Sequence, residues 1–345
     1  MKRLLTRGSG GIKILLQLSD LSVRYRIRSN YVHAVNHVSL TINRGETLGL
    51  VGESGCGKTT VLKAIARLLP INSEITGGEV FFEGRDLLHM SVREMRQIRW
   101  KEISIITQSA MNALDPVYRV GNQIAEAIQT HEKINRGNLL DRIVHLFEVV
   151  GLESKRMDSF PHQLSGGMRQ RVIIAMALAL NPKLVIADEP TTALDVITQD
   201  HIINKIMELQ QTFHFAIIYV THDISVVAET CNKVAVMYAG RILEYGSRDQ
   251  IFEKAFHPYT LGLQNAFPAL TEDKKLISIP GFPPDLASLP GGCVFSPRCP
   301  FRVDHCMKLA PPLKEVAKEQ FSACLRADQI DSIRERAKDE KTWQG

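Results

Sequence analysis

The segment "GLVGESGCGKTT" carries the side chains and spacing best suited to holding phosphate. Gly52, Gly57, Lys58 and Thr59 fall in the pattern G-x-x-x-x-G-K-[ST], just after the apolar run "TLGLV" and just before a helical pattern. Such a loop lets the amides of Gly52, Glu53, Ser54, Gly55, Cys56 and Gly57 curl around phosphate oxygens. The helix that begins at Lys58, Thr59 and Thr60 adds positive potential at its N-terminus. Lys58 is placed to bridge the β and γ phosphates, and the Thr59 hydroxyl to ligate Mg²⁺. A second carboxylate on the metal side is then required. The run "LVIADEP" supplies Asp188 for Mg²⁺, through water, and Glu189 as the general base for an attacking water. A base in that position is typically worth about 10²- to 10⁴-fold in rate.

Those residues need rigid elements beneath them. Short apolar runs bounded by turn residues recur through the first 265 positions: "ETLGLVG", "EVFFEG", "ISIIT", "KLVIADE", "FAIIYVTHD", "KVAVMYAG" and "RILEYG". Several precede helical patterns, such as "KTTVLKAIARLLP" and "VITQDHIINKIMELQQ", which is the alternation of a parallel α/β sheet covered on both faces. The stretch from about Ser91 to Phe160 is expected to be a mostly helical insertion. After Leu270 the composition turns to Pro, Gly and Cys, which predicts a domain boundary nearby. The charged tail from Arg326 predicts a solvated helix or coil.

Composition bounds the function classes. A chain of 345 residues with 44% hydrophobic residues is globular and long enough for a large domain plus an appendage. Its longest apolar runs fall well short of the roughly 20 residues needed to span a bilayer. The start lacks the apolar core of a secretory leader, so a reducing cytosolic setting is expected. A net charge of +5 is weak for a nucleic-acid binder, and no nucleic-acid partner is expected.

A second anion site lies in "LSGGMRQR", where Ser165, Gly166 and Gly167 stand at a helix N-terminus ahead of "VIIAMALAL". With these residues the sequence resembles the ATP-binding cassette (ABC) ATPases, in which this segment closes over the γ-phosphate held by a partner's loop. The resemblance covers about residues 15 to 265. It implies that Gln108 in "IITQSAMNALDP" touches Mg²⁺ and the attacking water, that Asp195 in "TTALD" communicates across the dimer, and that His222 in "YVTHD" contacts the γ-phosphate. It also implies an aromatic stacked on adenine, Tyr25 in "LSVRY", with Tyr31 as the competitor. The fold it implies is a P-loop NTPase: a mixed sheet core, an antiparallel β subdomain and a helical subdomain. The expected division is a flexible lead-in over 1–13, an ABC ATPase domain over 14–268 with the helical subdomain at about 91–180, and a Cys-containing extension over 269–345.

Finer resemblance narrows the class. Soluble translation and repair cassettes carry two cassettes in tandem or a long coiled coil, whereas this chain has one phosphate loop and no sustained heptads. The segments "MNALDPVYRVGNQI" and "HPYTLGLQNAFP", around His257, Pro258 and Tyr259, are similar to the ATPases of dipeptide and oligopeptide importers, a group that also serves nickel and oligosaccharides. That resemblance implies a second ABC subunit, related or identical, two membrane permease subunits and an extracytoplasmic solute-binding protein. It places the chain at the cytoplasmic face of the membrane. A soluble ATPase acting on nucleic acid or ribosomes is the alternative from another class, and a non-cycling scaffold would need a lost Glu189 or His222.

Four of the six cysteines, Cys293, Cys299, Cys306 and Cys324, crowd into the extension with spacing C-x5-C-x6-C, then C-x17-C. Disulfides suit a reducing cytosol poorly, and structural zinc favours paired C-x2-4-C hooks, which are absent. A [4Fe-4S] cluster has looser spacing rules, and several members of the resembled group carry one here; free thiols remain open. Cys56 and Cys231 lie far from this group. Cys56, near a helix N-terminus, is expected to be sensitive to thiol reagents.

Overall fold

The structure is a computed structural model and describes residues 14–107, 113–191, 194–221, 223–266 and 276–344. The expected lead-in over 1–13 and the expected boundary at 268/269 lie outside the described residues.

The first two strands are not among the apolar runs of the sequence. β1 (Ile14–Ile27) and β2 (Asn30–Asn43) pair antiparallel, and with β4 (Ser73–Phe82) and β5 (Arg85–Asp86) they make a four-stranded sheet of order β2-β1-β4-β5. The β1–β2 register shifts between Leu18 and Leu21, again between Leu21 and Val23, and again before Tyr25. Each shift breaks the alternation of buried and exposed positions by which an antiparallel strand is recognised.

The second sheet has eight strands in the order β11-β12-β10-β9-β3-β8-β7-β6. Its parallel half is β3 (Thr47–Val51), β6 (Ile103–Ile106), β7 (Leu184–Asp188), β8 (Ala216–Val220) and β9 (Lys233–Tyr238). Every position of β3, β7 and β8 is buried, which is why each is an unbroken apolar run. The other half is antiparallel: β10 (Arg241–Ser247), β11 (Lys314–Ala317) and β12 (Gln320–Ser322). The sheet is therefore mixed, as the resemblance implies, and not the wholly parallel sheet that the alternation of runs alone suggests. Strand β6 also falls inside the stretch from Ser91 to Phe160 expected to be mostly helical.

The helices that matter for the site are α1 (Lys58–Ile65), α2 (Val92–Ile98), α3 (Val120–Gln129), α4 (Arg136–Val149), α5 (Gly166–Leu178), α6 (Val196–Phe213) and α7 (Ile224–Thr230). Helix α1 packs into one core, shared by the four-stranded sheet and one face of the larger sheet. Helices α3, α4, α5 and α6 pack into the other, on the opposite face. The two expected anion sites thus open from different cores.

The C-terminal segment is stitched to the cassette. After α8 (Arg248–Glu253) and α9 (Pro258–Ala266) come α10 (Asp304–Lys308), α11 (Ile330–Ala337) and α12 (Glu340–Gln344). β12 pairs with β10 through Glu244↔Ser322 and Tyr245↔Phe321. Glu244, fully buried, accepts from the amides of Phe256 and His257 at 2.6 and 3.0 Å and from Gln320 Nε2 at 3.1 Å. Burial pushes its carboxyl up to about 7 despite these donors. The tail is not the solvated helix or coil expected from its charge: Ile330, Ile333 and Ala337 form a buried stripe on α11, and Trp343 is buried against Phe301. Among the described residues, no helix is long and apolar enough to cross a membrane.

Candidate nucleotide-binding site

Strand β3 ends at Val51 and the loop turns at once, with Gly52, Gly55 and Gly57 at φ 150°, 78° and 109°. Gly57 could not be replaced without movement, because a Cβ there would sit 2.1 Å from the Ala34 carbonyl oxygen. The loop is pinned on its outer side by the β9–β10 hairpin, whose Gly240 amide donates to Cys56 O at 2.9 Å. Inside it, Lys58 Nζ donates to Gly52 O and Glu53 O at 2.7 and 3.0 Å. The ammonium is thereby centred in the concavity where phosphate oxygens are expected. Ser54 and Gly55 are exposed at the tip, and Thr60 is buried on α1.

The metal-side residues meet. Asp188, at the end of β7, is buried, and Thr59 Oγ1 donates to its Oδ1 at 3.3 Å. Burial raises the Asp188 pKa, the Thr59 hydrogen bond opposes this, and the neighbouring Glu189 charge raises it further. A hydroxyl and a carboxylate side by side at the phosphate loop suit Mg²⁺, which takes one or two protein oxygens and fills its other positions with phosphate and water. Glu189 follows directly, with φ of 47° and its amide donating to Val220 O at 2.9 Å. A left-handed backbone at a non-glycine residue costs of order 1 kcal/mol and clusters at functional sites.

Tyr25 lies on β1 with its hydroxyl 3.1 Å from Thr60 Oγ1, so it borders the loop helix. Tyr31 is instead covered by the Arg24 guanidinium, 4.0 Å from its ring centroid. Ser165 is the N-cap of α5 and accepts from the Met168 amide at 3.3 Å, with Gly166 and Gly167 in the first turn. Asp195 likewise caps α6, accepting from the Thr198 amide at 2.9 Å. These bonds from Thr198 hold its carboxyl below the usual range. The two caps adjoin, since a Cβ at Gly167 would come within 2.7 Å of Thr198 Cγ2. Gln108 and His222 lie outside the described residues.

Cys293, Cys299, Cys306 and Cys324 line one small cavity, together with His257, Phe295 and Phe301. Burial pushes the Cys299 and Cys324 thiols up to about 12 and raises that of Cys293, with mutual repulsion of the sulfurs adding to each. Among the described residues, no group of three or more His, Cys, Asp or Glu is arranged around a single metal ion. Cys231 is buried apart from them, its thiol also pushed up to about 12 by burial. Cys56 corrects an expectation: burial outweighs the Lys58 ammonium at 3.8 Å, and its pKa is raised rather than lowered. Two contacts were not foreseen from sequence: Arg298 and Tyr259 both reach Glu53 in the phosphate loop. Their only sequence signal is placement, an arginine before a cysteine in "SPRCP" and the tyrosine of "HPY".

Residues 35–192 match the family model for ABC transporters, and residues 243–306 match that for the oligopeptide/dipeptide transporter C-terminal region. The chain is 45% identical over 316 residues to the oligopeptide transport ATP-binding protein OppD of Salmonella typhimurium, covering 91% of this chain and 94% of that one. It is 42% identical over 313 residues to the dipeptide transport ATP-binding protein DppD of Escherichia coli, covering 90% and 96%. Among solved structures, the dimeric post-hydrolysis state of the ATP-binding cassette MJ0796 bound to ADP and Pi is similar with a TM-score of 0.61 and 28% identity, over 68% of this chain and 99% of that one. The phosphate loop, the Thr59–Asp188 pair and the Ser165 cap therefore sit in a chain that belongs to the ABC transporter ATPases, in the group of oligopeptide and dipeptide transport ATP-binding subunits.

Proposed function

We propose that this subunit hydrolyses MgATP to drive uptake of dipeptides and oligopeptides, from the cytoplasmic face of the membrane. The observation that carries the reading is that one chain joins an intact phosphate loop, with its Thr59–Asp188 pair, to the C-terminal region of the oligopeptide/dipeptide transporters. Thr59 and Asp188 would hold Mg²⁺, which would supply charge neutralisation for the departing phosphate. Lys58 and the phosphate loop, whose Glu53 amide is taken by the Tyr259 hydroxyl rather than left for phosphate, bind and orient the triphosphate, Tyr25 supports adenine, and Glu189 takes the proton of the attacking water. Gln108 and His222 are assigned to that water and to the γ-phosphate. Ser165, Gly166 and Gly167 complete the site of a partner cassette, a division of labour favoured by the separate cores that carry α1 and α5. Asp195, capping the helix beside them, links the two sites. The partner is a related subunit or a second copy, acting on two permease subunits fed by a solute-binding protein.

The complex reconstituted in proteoliposomes with its permeases and binding protein tests this. Di- and oligopeptides should stimulate ATP turnover and accumulate inside. Stimulation by Ni²⁺ or an oligosaccharide alone would reassign the cargo, and stimulation by DNA or RNA without membranes would remove the transport reading.

The four extension cysteines are proposed to hold a [4Fe-4S] cluster. Four soft sulfur donors line one cavity, the ligand type and number that a thiolate-held cluster takes. Burial opposes free thiolates there, so the sulfurs would ionise only against a cation. The centre would staple together a Pro-rich segment whose Val294, Phe295 and Phe301 pack into the cassette core. Anaerobically purified protein should contain about four iron per chain, and Cys299→Ser should lose it. About one zinc per chain and no iron would defeat the assignment.

A further inference from the structure

Glu53 is a position that the phosphate-loop pattern leaves unspecified, yet it is gripped at both its amide and its carboxylate from outside the loop. Its amide donates to the Tyr259 hydroxyl at 3.1 Å. Its carboxylate accepts from Arg298 Nη1 through both oxygens, at 2.9 and 2.8 Å. Arg298 is itself fixed: Nε donates to Pro280 O at 2.8 Å, Nη2 to Ile279 O at 3.2 Å and Nη1 to the Tyr238 hydroxyl at 3.2 Å. Its side chain is only 8% exposed, so the ion pair is little screened by water. Tyr259 is fully buried and wedged against Tyr238 and Phe295, with ring centroids 4.6 and 5.3 Å away.

We propose that Arg298 and Tyr259 are positioning residues of the nucleotide site, through which the C-terminal segment holds the phosphate loop in its binding conformation. The Glu53 carbonyl accepts from Lys58 while its amide and carboxylate are held by the clamp, so one residue joins the phosphate-facing ammonium to the extension. Without the clamp the loop is ordered for only part of the time, and apparent nucleotide affinity falls by that fraction. The cradle holds phosphates alike in the ground and transition states, so the loss belongs in KM rather than kcat.

The inference takes from the functional reading only that ATP occupies this loop, which MgATP binding by the unaltered complex checks separately. In the assembled transporter, Arg298→Gln and Tyr259→Phe should each raise the ATP KM by about tenfold with kcat within about twofold. Arg298→Lys should restore part of the affinity. Arg298→Gln combined with Glu53→Gln should be no weaker than Arg298→Gln alone. Tyr259→Phe keeps the ring packing and guards against misfolding as the explanation. An unchanged KM in both single variants, or losses that add fully in the double, would overturn the proposal. So would a fall in kcat and melting midpoint with KM unmoved.

Discussion

Replacing Glu189 with Gln is expected to cut steady-state ATP turnover by at least about 10²-fold while MgATP still binds. The amide keeps the size of the side chain but cannot accept the proton that an attacking water must lose. The Lys58 contacts and the Thr59–Asp188 hydrogen bond come from other residues and are kept, while removing the Glu189 charge relieves its repulsion of Asp188. The left-handed backbone at Glu189 is tolerated by Gln as well as by Glu. Binding without hydrolysis should leave the closed pair of cassettes long-lived, visible as an ATP-dependent shift to the larger species in size-exclusion chromatography. Turnover within about threefold of the wild type would remove Glu189 from the proton transfer.

How far the site could be traced in the sequence depended on range. The phosphate loop, the Asp188–Glu189 pair and the Ser165 cap are each set by a few adjacent residues at a strand end or helix start, so short patterns suffice. Strands β3, β7 and β8 were equally plain, because burial on both faces makes them continuous apolar runs. β1 and β2 were hidden by the bulges that shift their register. The buried stripe of α11 was masked by the charges on its other face. The Arg298–Glu53 pair spans 245 positions, and nothing local to "SPRCP" or "GESGCGK" announces it. At Cys56 the helix N-terminus, which lowers a thiol pKa, is visible in the sequence, while the burial that outweighs it is not.

The second large effect is expected from Lys58→Ala, which should weaken MgATP binding by at least about 10²-fold. Two losses add. The charge-assisted bonds an ammonium makes to phosphate are worth about 1.5–3 kcal/mol each. The Gly52 and Glu53 carbonyls, which now converge on Nζ at 2.7 and 3.0 Å, also lose their common donor, so the concavity is no longer held in shape. The variant should still fold, since the neighbouring buried apolar residues of α1, Val61, Leu62 and Ile65, are untouched. The measurement is a thermal melt with and without nucleotide. A ligand at 100 times its Kd stabilises by about 2.7 kcal/mol, so MgATP should raise the wild-type midpoint by a few degrees. Lys58→Ala should show a similar midpoint without nucleotide and almost no shift with it. Glu189→Gln, by contrast, should keep the full shift while losing turnover, so the two variants separate holding the phosphates from splitting them. An unimpaired shift in Lys58→Ala would mean that the cradle binds phosphate through its backbone amides alone.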